Sequence, residues 1–121
     1  MIKGLGIDII EVKRIKKIME EHGERFFQRI LTDTEIAYCK TYSKPELHFA
    51  GRFAAKEAYS KSIGTGIGKD FKWKDIEILN DKRGKPYIHH ITENEYSKLI
   101  YHVSISHTED YACAAVTCEY V

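Results

Sequence analysis

An α+β fold is predicted by three features of the sequence. The chain opens on an Ile-rich segment of strand character, continues through helical patterning from residue 11 to residue 63, and closes on a run of strand-like segments. At 121 residues, a single domain over 1–121 is the expected organisation.

Residues 2–10 (IKGLGIDII) are predicted as the first strand, buried on at least one face. Residues 11–21 switch to helical spacing, with Val12, Ile15, Ile18 and Met19 on one side and the cations Lys13, Arg14, Lys16 and Lys17 opposite. A short helix is predicted over 24–31. Thr32 and Glu35 then form a capping-box pattern that starts another helix, running to about Tyr42. Pro45 suits the first turn of a long helix ending near Ile63, in which Ala50, Ala54 and Ala58 allow another backbone to approach closely. The loop Gly64-Thr65-Gly66-Ile67-Gly68 stops it. Residues 73–79 alternate as a half-buried strand, 80–84 turn, and 86–90 return. A short helix is predicted over 92–99, and strands over 101–106 and 111–118 flank a turn at 108–110.

The net charge of +1 points neither to nucleic acid nor to an anionic membrane, although the cations of residues 13–17 form a local basic patch. Cys39, Cys113 and Cys118 are odd in number and contain no Cys-x-x-Cys spacing, against both a disulfide framework and a zinc knuckle. The opening apolar run is too short for a signal peptide and is broken by Asp8, and no segment approaches the length of a membrane helix. The expectation is a soluble protein of the reducing cytoplasm.

Three places carry chemistry. Asp8 puts a carboxylate inside an Ile-rich strand, where it either caps a neighbouring element or meets a cation. Glu57 and Lys61 lie one turn apart on a helix that also bears Arg52 and Lys56 and runs into the glycine-rich loop. They read either as a surface ion pair or as the edge of a phosphate site. The loop follows a helix and lacks GxxxxGK[ST], so it is neither a P-loop nor a dinucleotide turn. His107 ends a strand among Ser104, Ser106 and Thr108, as a structural histidine or a phosphate or proton-transfer group. Oxygen donors without a thiolate cluster suit a hard cation such as Mg²⁺.

Taken together, GLGIDIIEVKRI (4–15), ILTDTE (30–35), GRFAAKEAYSKSIGTGIG (51–68), GKPYI (84–88) and HVSISHT (102–108) resemble the bacterial holo-[acyl-carrier-protein] synthases, the short class of 4'-phosphopantetheinyl transferases. Residues 40–48 and 89–101 contribute no motif to the likeness. The resemblance implies a small antiparallel sheet packed against the long helix and shorter helices. It also implies transfer of phosphopantetheine from coenzyme A to a serine of apo acyl carrier protein, in fatty acid biosynthesis. Asp8 and Glu57 would ligate Mg²⁺, with Glu57 and Lys61 catalytic and Lys61 beside the pyrophosphate. Arg52 and His107 would belong to the nucleotide end of the coenzyme A site, Gly84, Lys85 and Pro86 would border the adenine, and Gly64 and Thr108 would complete the coenzyme A contacts. Arg14 would dock the acidic carrier, and active sites would lie between the subunits of a homotrimer. Other readings stay open at this point: a small Mg²⁺ phosphohydrolase using the same acids, a nucleic-acid-binding module using the basic patch, and an inactive structural subunit.

Overall fold

In the computed structural model, which describes residues 1–121, the chain runs β1 (Ile2–Glu11), α1 (Val12–His22), α2 (Arg25–Gln28), α3 (Asp33–Lys40), α4 (Pro45–Ile63), β2 (Ile76–Asn80), β3 (Pro86–His90), β4 (Ile100–His107) and β5 (Tyr111–Glu119). Two single 3₁₀ turns, Trp73–Asp75 and Tyr96–Lys98, precede β2 and β4. β1, β5 and β4 form an antiparallel sheet in that order, and β2 and β3 form a separate antiparallel hairpin. No helix is long and apolar enough to cross a membrane.

Two glycines set the layering. A Cβ at Gly4 would lie 1.9 Å from the Ser62 carbonyl oxygen, and one at Gly6 1.8 Å from that of Ala58. β1 therefore rides directly on the backbone of α4, which presents the small Ala54 and Ala58, both fully buried, to the sheet. Burial alternates along β1 as a strand period requires. Gly6 and Ile10 face the helix with Asp8 between them, whereas Leu5, Ile7 and Ile9 stand 65%, 65% and 66% exposed on the opposite face. The core lies between this sheet and α4, with Ile15, Phe27, Leu31, Phe49 and Val116 among its members.

The capping box at α3 forms as predicted: Thr32 Oγ1 accepts from the Glu35 N–H, and Glu35 Oε1 accepts from the Thr32 N–H. Three boundaries shift. The helix predicted over 24–31 is a single turn, the strand predicted from 73 begins at Ile76, and only a 3₁₀ turn forms within 92–99. In the last case Asn94 Oδ1 accepts from the N–H groups of Tyr96 and Ser97, a local bond that competes with helix propagation.

Lys56 is corrected by the structure. Its side chain is fully buried, and Nζ donates to Glu35 Oε1 (2.7 Å) and to the carbonyls of Ile30, Trp73 and Ile76. Glu35 Oε2 accepts from the Ile78 N–H. Lys56 is a structural tie among α4, the loop before α3 and β2, and it contributes no cation to a surface site. Burial pulls its pKa below the ordinary lysine range, opposed by the Glu35 carboxylate.

Candidate active site

Two cavities gather most of the residues singled out above. The first, of about 410 Å³, is lined by Asp8 and Ile10 of β1, Arg14 of α1, Phe53 and Glu57 of α4, and Tyr111 of β5. The tight crossing of β1 over α4 makes it. With Gly6 seated on Ala58, Asp8 projects from the same face of the strand beside the helix positions that carry Glu57 and Lys61. Lys61 Nζ donates to Asp8 Oδ1 (3.2 Å) and to the Ile7 carbonyl (3.0 Å). The helical period thus puts Glu57 and Lys61 on one face, but the ion pair formed is Lys61–Asp8. The Asp8 side chain is 17% exposed and that of Lys61 51%, so the ammonium sits at the rim. Burial raises the Glu57 pKa above the usual carboxylate range, the charge of Asp8 adds to the rise, and Lys61 opposes it.

No group of three His, Cys, Asp or Glu side chains converges to hold a metal ion. The pair Asp8 and Glu57 nevertheless has the chemistry of a hard-cation site completed by a ligand. Two carboxylates share one cavity and repel each other there, and Mg²⁺ is commonly held by one or two carboxylates, water and substrate phosphates.

The second cavity, of about 220 Å³, is lined by His48 and Arg52 of α4, Asn80 of β2, Gly84 of the following turn, Pro86 at the start of β3, and His107 of β4. Gly84 holds φ = 84°, the conformation that makes this turn available to glycine at little cost. Arg52 is only 4% exposed. One guanidinium nitrogen donates to Asn80 Oδ1, the group stacks 4.2 Å from the centroid of Tyr38, and Nε is buried without a partner. A buried arginine with unused donor capacity, next to two histidines, makes an anion-binding corner.

The remaining predicted site residues lie elsewhere. Lys85 lines a neighbouring groove with Asp81 and Tyr101, and its N–H donates to Asp81 Oδ1. Thr108 Oγ1 accepts from the N–H groups of Asp110 and Tyr111 and shapes the β4–β5 turn. Gly64 caps α4 at φ = 80°, and the N–H groups of Gly64, Thr65 and Gly66 all donate to the Ser60 carbonyl. Arg14, expected at a docking surface, also lines the carboxylate cavity. Sequence reasoning did not single out His48 or Tyr111 for the site. His48 lies in the motif-poor stretch 40–48, and Tyr111 is an ordinary strand residue by pattern.

Comparison with known proteins decides the family. The model of the 4'-phosphopantetheinyl transferase superfamily matches residues 4–116. The chain belongs to this superfamily. It is 51% identical over 121 residues to the holo-[acyl-carrier-protein] synthase of Anoxybacillus flavithermus, covering 98% of this chain and 97% of that protein. It is 45% identical to that of Protochlamydia amoebophila, covering 94% and 95%. Among solved structures, the holo-(acyl-carrier-protein) synthase of Bacillus anthracis in complex with CoA (3',5'-ADP) superposes with a TM-score of 0.87 at 47% identity, covering 100% of this chain and 99% of that one. The Helicobacter pylori enzyme in complex with coenzyme A superposes with a TM-score of 0.86 at 35% identity, covering 95% and 99%. The fold is that of the superfamily, an antiparallel sheet on a long helix.

Proposed function

We propose that this chain is a holo-[acyl-carrier-protein] synthase that transfers 4'-phosphopantetheine from coenzyme A to a serine of apo acyl carrier protein and releases adenosine 3',5'-bisphosphate. The observation that carries this reading is the convergence of Asp8, Glu57 and Arg14 on one cavity with Lys61 at its rim. High identity over the full chain to synthases of that name supports it.

The seryl oxygen attacks the phosphorus that bears pantetheine, the phosphoanhydride bond breaks, and the nucleotide leaves with the bonding pair. Such a reaction depends mainly on positioning and on offsetting charge. Asp8 and Glu57 would hold Mg²⁺, which when bound neutralises charge on the pyrophosphate and orients it. Lys61 exchanges its contact with Asp8 for the pyrophosphate oxygens, a short swing for a side chain already half in solvent. The seryl proton passes to a carboxylate of this pair or to water. Arg52 and His107 bind the nucleotide end, beside the Gly84–Pro86 turn. Arg14 and the exposed cations of α1 face an acidic carrier, where complementary charge speeds encounter and sets orientation.

The assembly belongs to the same reading. The carboxylate cavity and the arginine corner share no lining residue within one chain, and the outer face of β1 exposes three aliphatic side chains in a row. A homotrimer that buries this face and brings one subunit's carboxylates to the next subunit's arginine corner accounts for both features. The setting is the cytoplasm, where coenzyme A and reduced cysteines coexist.

The test is product stoichiometry. Adenosine 3',5'-bisphosphate should appear one for one with modified carrier and only when apo carrier is present. Release of nucleotide without carrier would favour the phosphohydrolase reading instead.

A further inference from the structure

His48 occupies an unusual position. One face of its ring is stacked on Tyr42, with centroids 3.6 Å apart and planes 17° from parallel, and its edge meets His107 at 5.6 Å between centroids. Tyr38 packs edge-on at 6.0 Å and lies under Arg52 as well. The groups facing His48 are therefore two tyrosines, a second histidine and a buried guanidinium, with no carboxylate among them. A residue so placed is held in orientation by stacking and lies beside a buried guanidinium with no carboxylate to balance it. It lines the same cavity as Arg52, whose buried Nε has no partner.

We propose that His48 is a specificity-determining residue of the nucleotide subsite. Together with Arg52 and His107 it takes the ribose phosphate monoester of coenzyme A, and it selects coenzyme A over the same molecule lacking that phosphate. The inference rests on the transfer reading above and adds a residue and a selectivity to it. Burial, then the neighbouring His107 and the Arg52 guanidinium, lower the His48 pKa below the ordinary histidine range, so near neutral pH its ring is neutral. A phosphate monoester carries between one and two negative charges near neutral pH and supplies the counter-charge the corner lacks. Binding it favours the imidazolium, so the ligand enters with uptake of a proton. The sign follows: affinity for the phosphorylated ligand rises as pH falls toward the histidine range, and affinity for the dephosphorylated ligand does not gain to the same extent.

The experiment compares kcat/KM for coenzyme A and for 3'-dephospho-coenzyme A across about pH 6 to 8, in the wild-type enzyme and in His48→Phe, which keeps the stack on Tyr42 and removes the titratable ring. The wild-type preference for coenzyme A should increase about tenfold from the alkaline to the acidic end, the equivalent of one pKa unit of coupling. In His48→Phe that increase should fall to about threefold or less, read as the ratio of the two substrates so that any common change cancels. Titration of the phosphate itself is common to both proteins and cancels. His48→Gln, which retains a neutral donor, should restore part of the preference but not its pH dependence. Identical pH profiles of the preference in all three proteins would overturn the proposal and leave the transfer reading intact. A wild-type protein that neither binds nor uses either form of coenzyme A would overturn both.

Discussion

Asp8 can meet Glu57 and Lys61 because the residue two before it has no side chain. A methyl group at Gly6 would sit 1.8 Å from the Ala58 carbonyl oxygen, well inside van der Waals contact, and neither backbone can yield without moving the sheet or the helix. Gly6→Ala is therefore expected to cost about 3 kcal/mol in urea unfolding, at the upper end of ordinary overpacking, and to abolish transfer by displacing Asp8. A variant of near wild-type stability and activity would show that the crossing is looser than described. The glycines and small helix residues were visible in the sequence, and close backbone approach was anticipated for Ala50, Ala54 and Ala58. The strand that makes the approach was not, because a glycine in a strand reads equally well as a bulge or a turn. Asp8 itself was legible as an anomaly, a carboxylate among isoleucines, but its ion pair with Lys61 spans 53 residues and has no local signature.

At the scale of elements, α4 carries both the core and the site, and its two roles alternate around the helix. Lys56 and Glu57 are adjacent in sequence, yet one is sealed beneath α3 and β2 while the other lines a cavity. Sequence reasoning grouped Lys56 with the site cations because cation spacing alone cannot reveal that Glu35, 21 residues earlier, provides its partner. Removing one member of a buried pair leaves the other charge uncompensated. Lys56→Met should lose about 3–5 kcal/mol of stability, and a loss under about 1 kcal/mol would mean that Glu35 is satisfied by its backbone donors alone. A second tie joins β3 to α4, where His90 Nε2 meets the Tyr59 hydroxyl at 3.1 Å. Burial, and then the nearby His89, lower the His90 pKa. The neutral ring therefore stabilises the fold above the ordinary histidine pKa, and that contribution is lost as pH falls through the lower, folded-state value. Stability measured downward from about pH 7 should decline less steeply in His90→Gln than in the wild type, and parallel slopes would remove His90 from the account. The helix period, capping box and strand alternation were all legible. The segment 92–99 was not, because Asn94 takes the donors a helix would need.

For the whole molecule, the decisive feature is that a single chain keeps its carboxylates and its arginine corner in separate cavities and leaves the aliphatic outer side of β1 open. The assembly proposed above predicts a solution mass three times that of the 14.0 kDa chain. It also predicts complementation: Asp8→Ala and Arg52→Gln proteins, each inactive alone, should regain about a quarter of the sites when refolded together in equal amounts, because one interface then receives an intact half from each parent. No recovery from a mixed, correctly sized oligomer would place both residue sets in the same subunit's site. Family membership was readable from ordered motifs in the sequence, whereas the separation of the two cavities required the packed structure.

The central claim, that the Asp8–Glu57 cavity performs phosphopantetheine transfer with a divalent cation, is tested most directly by intact-mass measurement of apo acyl carrier protein incubated with the enzyme, coenzyme A and Mg²⁺. The expected result is a gain of one phosphopantetheinyl group that disappears with EDTA and in folded Asp8→Ala and Glu57→Ala proteins. An unmodified carrier with the wild-type protein, or full modification by either variant or in EDTA, would contradict it.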